Sequence, residues 1–122
     1  MTGRDVYRRA AALLGQEERD VEYYEPLALV CLNQMLADCL WQENALSQAA
    51  HRAGYAAAPE LLTLEDEIPY DERMVSTCFP YRLGALLIAG ENRREYSRLT
   101  QEYEARIADF EPCRITEMRV NV

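Results

Sequence analysis

The chain of 122 residues predicts an all-α fold, a small bundle of about four helices with an extended C-terminal arm. Three observations predict it. Apolar residues recur at three- and four-residue spacings in four separate stretches. Helix start and stop residues stand at the edges of those stretches. Alternation at period two is confined to the end, where Met118, Val120 and Val122 are separated by single polar residues. The length gives one domain: residues 1–111 as the helical body and 112–122 as the arm.

The first helix is expected from about Asp5 to Leu14. Thr2 and Asp5 have the spacing of a capping box, with Asp in place of the usual Glu or Gln. Val6, Ala10, Leu13 and Leu14 share a face, and Gly15 stands where a left-handed C-terminal cap belongs. Gln16 to Asp20 reads as a polar loop.

The second helix is the longest, with Pro26 in its first turn and its end near Ala49. Leu29, Leu32, Leu36, Cys39 and Leu40 form one stripe, with Leu27, Cys31 and Met35 beside it. So broad an apolar surface implies more than one packed neighbour. The other side carries Asn33, Gln34, Asp38 and Trp41. The tryptophan is expected to be covered by the following loop, with presentation to a partner as the alternative.

His51 to Pro59 is irregular and rich in alanine. Leu61, Leu62 and Leu64 then lead into an acidic elbow, Glu65-Asp66-Glu67-Ile68-Pro69-Tyr70-Asp71-Glu72. Pro69 disfavours helix at Ile68, so the elbow should be extended, and Asp71 is placed to cap the third helix. That helix contains Val75, Cys78, Phe79, Leu83, Leu86 and Leu87. Pro80 lies inside it and should bend it or split off its first turns. Gly84 permits another backbone to approach closely, and Ala89-Gly90 ends the run. The fourth helix is marked by Tyr96, Leu99, Tyr103, Ile107 and Phe110, with Arg94, Arg98, Glu102 and Arg106 laddered on another face. Pro112 closes the helical region. The tail, with Ile115, Met118, Val120 and Val122, reads either as a frayed end or as an arm ordered by another subunit.

The formal charge is −8 and every Lys+Arg cation is an arginine. So acidic a domain is a poor nonspecific nucleic-acid binder, which needs many phosphate-neutralising cations. Arg4, Arg8 and Arg9 cluster locally, as a solvated helix face would. No run reaches the roughly 20 apolar residues of a membrane span, and no signal-peptide pattern opens the chain, so a cytoplasmic product with no membrane partner is expected. Cys31, Cys39, Cys78 and Cys113 form no Cys-x-x-Cys pair. Cys31 and Cys39 would lie about 12 Å apart on one helix, too far for a disulfide, so buried thiols are expected.

No catalytic, cofactor-binding or metal residue is expected. His51 has no cysteine or acid at ligand spacing, and no local signature of a nucleophile surrounds any cysteine. Glu65, Asp66, Glu67, Asp71 and Glu72 lack the rhythm of a calcium loop. A solvated or subunit-facing acidic loop is the favoured reading. The glycines are scattered singly, so no phosphate cradle is expected.

The order of the parts resembles a known family. A short helix ends at Leu13-Leu14-Gly15, and a long helix carries Leu32-Asn33-Gln34-Met35-Leu36. The elbow Glu67-Ile68-Pro69-Tyr70-Asp71-Glu72 leads to Phe79-Pro80-Tyr81-Arg82-Leu83-Gly84-Ala85-Leu86-Leu87, and Tyr103-Glu104 lies in the last helix. Over roughly Val6 to Phe110 this is similar to small head–tail connector proteins of tailed bacteriophages, also described as head-completion or packaged-DNA stabilisation adaptors. The resemblance implies a non-enzymatic subunit of phage or prophage origin, made in the host cytoplasm and built into the virion neck. It would assemble as a homo-oligomeric ring on the portal protein and meet a tail or stopper protein. Packaged DNA would pass through without sequence-specific binding. C-terminal arms in that family reach along the portal, which gives Ile115, Met118, Val120 and Val122 a portal or subunit contact, and the segregated charges let Glu65, Asp66, Glu67, Asp71 and Glu72 meet arginines such as Arg94 or Arg98 of the next copy. The other reading is a small prophage-encoded helical interaction or regulatory module.

Overall fold

A computed structural model describes residues 1–15 and 24–111. Within them the fold is all-α: α1 (Gly3–Leu13), α2 (Glu25–Asp38), α3 (Leu40–Ala49), α4 (Glu72–Ile88) and α5 (Arg93–Ile107), the last continued by a 3-10 turn, Ala108–Phe110. The extended pairing among the described residues is a single isolated antiparallel bridge, Thr2 to Glu67. The loop at 16–20 and the arm at 112–122, with Cys113, lie outside the described residues.

α1 begins as its sequence dictates. The Thr2 hydroxyl accepts the Asp5 N–H at 3.1 Å and the Asp5 carboxylate accepts the Thr2 N–H at 3.0 Å, completing a capping box. The Thr2 N–H, foremost, holds the Asp5 carboxyl below its usual range. Gly15, at φ 70°, takes the left-handed conformation after Leu14 and donates its N–H to Ala12.

The long second helix divides at Cys39, which accounts for five helices where about four are expected. The ladder continues on either side, with Cys39 N–H to Met35 and Glu43 N–H to Cys39. Just before the break the buried Tyr70 hydroxyl donates to the Leu36 carbonyl at 2.6 Å. A side chain inserted at a ladder carbonyl is a recognised cause of such breaks.

α4 is the central helix and packs on α5, α1 and α2. Asp71 caps it, its carboxylate accepting the N–H groups of Arg73 and Met74 at 3.0 and 3.2 Å. Pro80 does not split it: the helix is uninterrupted from Glu72 to Ile88. Buried Cys78, Phe79 and Leu83 hold both sides of the proline in the core. Each such side chain gains about 1.5–3 kcal/mol on burial, comparable with the roughly 3 kcal/mol a helical proline costs. Gly84 works as expected: a Cβ there would stand 3.2 Å from Leu99 of α5 and 3.7 Å from the Ala10 carbonyl of α1.

The core joins Val6, Tyr7 and Ala10 of α1 to Leu32, Met35 and Leu36 of α2, and to Met74, Val75, Phe79 and Leu83 of α4. Leu61, Leu64, Ile68 and Tyr70 from the elbow enter the same cluster. Trp41 differs from expectation. It is 60% exposed, because it projects from the α2–α3 side opposite the core-facing Leu36 and Cys39.

Candidate functional site: the acidic elbow and its seat

Two asparagines hold the segment that leads to the elbow. Asn33 on α2 accepts the Leu61 N–H at 2.7 Å and donates to the Leu61 carbonyl at 3.0 Å. Asn44 on α3 does the same to Tyr55, at 2.8 and 2.9 Å. Tyr55 then donates its hydroxyl to the Pro69 carbonyl, and its ring lies 5.7 Å from that of Tyr70. An irregular stretch is thus tied to two helices by backbone-mimicking amides.

The elbow itself is not extended throughout. The Asp66 carboxylate accepts the N–H groups of Leu62 and Thr63 at 2.7 and 3.0 Å, closing a turn, and these bonds lower its pKa. Extension begins at Glu67, where the chain pairs with the start of α1. The Gly3 N–H donates to the Asp66 carbonyl at 3.1 Å, the Arg4 N–H to Leu64 at 2.7 Å, and the Ile68 N–H to Met1 at 2.9 Å. With the capping box, all four N–H groups that an α1 start leaves unpaired acquire partners. The elbow backbone is therefore the second half of the α1 cap. Sequence reading missed this, because a carbonyl acceptor has no side-chain signature.

The elbow carboxylates point away from that backbone seam. Glu65 pairs with the Arg4 guanidinium, whose other end meets Glu25 of α2. The hydrogen bonds that Arg4 donates to Glu25 and, next, to Glu65 raise its pKa. Glu67 and Glu72 both reach the Met1 amino group, at 2.8 and 3.2 Å, and raise its pKa, Glu67 contributing most. Their side chains remain 72% and 71% exposed, and that of Glu65 65%. Asp66 and Asp71 are occupied with turn and helix capping.

Glu43 is the acid that sequence reading passed over. It is 1% exposed and accepts the Asp71 N–H at 2.8 Å. Burial raises its pKa; the Asp71 N–H opposes that rise and the Asp71 charge adds to it. It stands between Gln42 and Asn44, so no local pattern marks its burial.

The proposed arginine contacts lie on α5. Arg94 is exposed, and Arg98 forms a close pair with Glu95 at 2.7 Å, which lowers the Glu95 pKa. Arg106 reaches Glu102 at 3.5 Å. Among the described residues no ion pair joins the elbow carboxylates to Arg94 or Arg98 within one chain. Ile115, Met118, Val120 and Val122 lie outside the described residues.

Two open grooves of about 550 Å³ flank the elbow. One is lined by Arg4, Glu25, Pro26, Leu29 and residues 62–65, the other by Met1, Asp5, Arg8, Arg9, Glu67 and Glu72. Among the described residues, no three His, Cys, Asp or Glu side chains converge as metal ligands. Cys31, Cys39 and Cys78 are free thiols; burial raises the pKa of each, Cys78 to about 12, which keeps them from thiolate chemistry. His51 ends α3. It adopts φ 57° while its N–H donates to Gln48 and that of Arg52 to Ser47, a Schellman arrangement with histidine in the glycine position. No described helix is long and apolar enough to cross a membrane.

No protein-family model, curated protein or solved structure matches this chain.

Proposed function

We propose that the chain is a structural adaptor of the head–tail connector kind, a non-enzymatic subunit that forms a ring on a phage portal, helps retain packaged DNA and joins the tail. The reading rests first on the resemblance in the order of helices, elbow and core helix. The observation that favours it most is the elbow's division of labour. Its backbone and its aspartates hold the subunit together, while Glu65, Glu67 and Glu72 carry largely exposed carboxylates on a rigid seat.

In that reading Glu65, Glu67 and Glu72 contact cations such as Arg94 and Arg98 of the next copy, with Asp66 and Asp71 setting their position. Ring contacts are heterologous, so different faces of one subunit meet. Exposed carboxylates and an arginine-bearing helix on separate elements supply such faces. The residues at 112–122 are assigned to contact with the portal or a neighbouring copy. An acidic lumen would ease DNA passage, since it repels phosphate.

The test is co-sedimentation of the purified chain with the portal protein encoded in the same genome. A complex that weakens when Glu67 and Glu72 are both changed to Gln supports the assignment. Absence of a complex across low and high salt rejects it.

A further inference from the structure

The adaptor reading leaves two features unused: the apolar groove beside the elbow, and the alternation of Met118, Val120 and Val122 in the sequence. Leu62 is 79% exposed and lines that groove with Pro26 and Leu29. On the elbow's other side Glu67 and Glu72 line a second groove with Met1, Asp5, Arg8 and Arg9. Both glutamates reach the Met1 amino group, which leaves one negative charge over, and among the described residues no ion pair joins either of them to Arg8 or Arg9. An apolar wall and a spare carboxylate thus stand along one short stretch, residues 62–72.

We infer that residues 112–122 fold back along this stretch of the same chain, with Arg114 at Glu67 and Glu72 and with Met118 and Val120 over Leu62. Position favours it. The helical body closes on Phe110, whose ring lies 6.0 Å from the Arg73 guanidinium. Arg73 follows Glu72 in the first turn of α4, so the chain leaves the body beside the end of the elbow. Reach allows it. Extended, residues 112–122 cover up to about 36 Å, and the turn that Asp66 closes shortens the way from Glu67 to Leu62.

Register agrees. In an extended segment alternate side chains share a face. Arg114, Met118, Val120 and Val122 would then share one face, and Glu117, Arg119 and Asn121 the other. The first face is a cation followed by apolar residues. The elbow offers its carboxylates and then Leu62 in the same order. The tether selects the chain's own segment over that of a second copy. So short a link gives an effective concentration on the order of millimolar, which a free partner in dilute solution does not match. Docking of this kind occupies Glu67 and Glu72 and so restrains contact with a neighbouring subunit until the portal or that neighbour takes the segment. Only this restraint rests on the adaptor reading; the docking does not.

The test uses the isolated full chain, without portal. In amide NMR, Val120→Asp should move the signals of Leu62 and Thr63, and Arg114→Glu those of Glu67. The parent positions should not change with protein concentration. Leu62→Ser leaves the segment's own sequence intact and, at an exposed site, should leave the melting curve unchanged. It should speed tryptic cleavage after Arg114 and Arg119 by about two- to fivefold, since cleavage tracks the undocked population. Signal changes confined to residues 110–122, or cleavage rates that Leu62→Ser leaves unchanged, overturn the inference. So do Leu62 and Glu67 signals that move with concentration, since a second copy's segment would then be the occupant.

Discussion

At the scale of single residues, the structure gives unremarked side chains specific tasks. His51 closes α3 in a conformation that costs a residue with a Cβ about 1–2 kcal/mol. His51→Gly should therefore raise stability by about 1 kcal/mol, read as a higher denaturant midpoint with an unchanged slope. Glu43 makes a second prediction. Its pKa is raised in the folded protein, so the folded state holds that proton more tightly than the unfolded chain. Its contribution is therefore unfavourable at neutral pH and improves as pH falls through the folded pKa toward the ordinary 4.5. Glu43→Gln keeps an acceptor for the Asp71 N–H, so its stability relative to the parent should be highest at pH 7 and decline as pH drops toward 4.5. Paired denaturant titrations across that interval measure it, and a difference that does not change with pH contradicts the assignment. Capping of this kind is partly legible in sequence. Thr2, Asp5, Gly15 and Asp71 announce themselves by type and spacing, whereas a histidine in a glycine position and a buried glutamate do not.

Helices show where local rules yield to packing. Periodicity located α1, α4 and α5 to within a few residues, because each has a core-facing stripe set by its own sequence. The break at Cys39 was not legible, since its associated contact comes from Tyr70, far along the chain. Of the two outcomes expected for Pro80, a bend or a split, the split does not occur, because the surrounding burial offsets the cost of the proline. Tyr70→Phe tests the first point. Loss of the hydroxyl should cost about 0.5–1.5 kcal/mol, and slow-exchange protection of the Leu40 amide should rise as the Leu36 carbonyl returns to the helical ladder. Unchanged stability and unchanged exchange would show that the hydroxyl does not hold the break open.

On the scale of the whole molecule, the fold class was legible and the elbow's role only partly so. Its acidity and its place before the core helix were visible in Glu65 to Glu72, and Asp71 was correctly assigned as a cap. Its docking on α1 was hidden, because it is made by the carbonyls of Leu64 and Asp66 and the amide of Ile68, which any residue could offer. Double substitution Glu67→Gln and Glu72→Gln, at largely exposed carboxylates, should weaken portal binding while leaving the helical circular-dichroism signal unchanged, as sedimentation and spectra on the same samples would report.

The seating of the elbow on the first helix also constrains the order of events during synthesis. α1 leaves the ribosome before the elbow, and its N-terminal amides find the Leu64 and Asp66 carbonyls only after some sixty residues have followed. Its buried face waits longer, for α4. Closing so long a loop carries an entropic cost before any contact rewards it. A segment made before its partners is thus secured only when they arrive. The Gly3 and Arg4 amides should exchange with solvent only through near-global opening, and their exchange in native-state experiments should follow the same denaturant dependence as amides in the middle of α4.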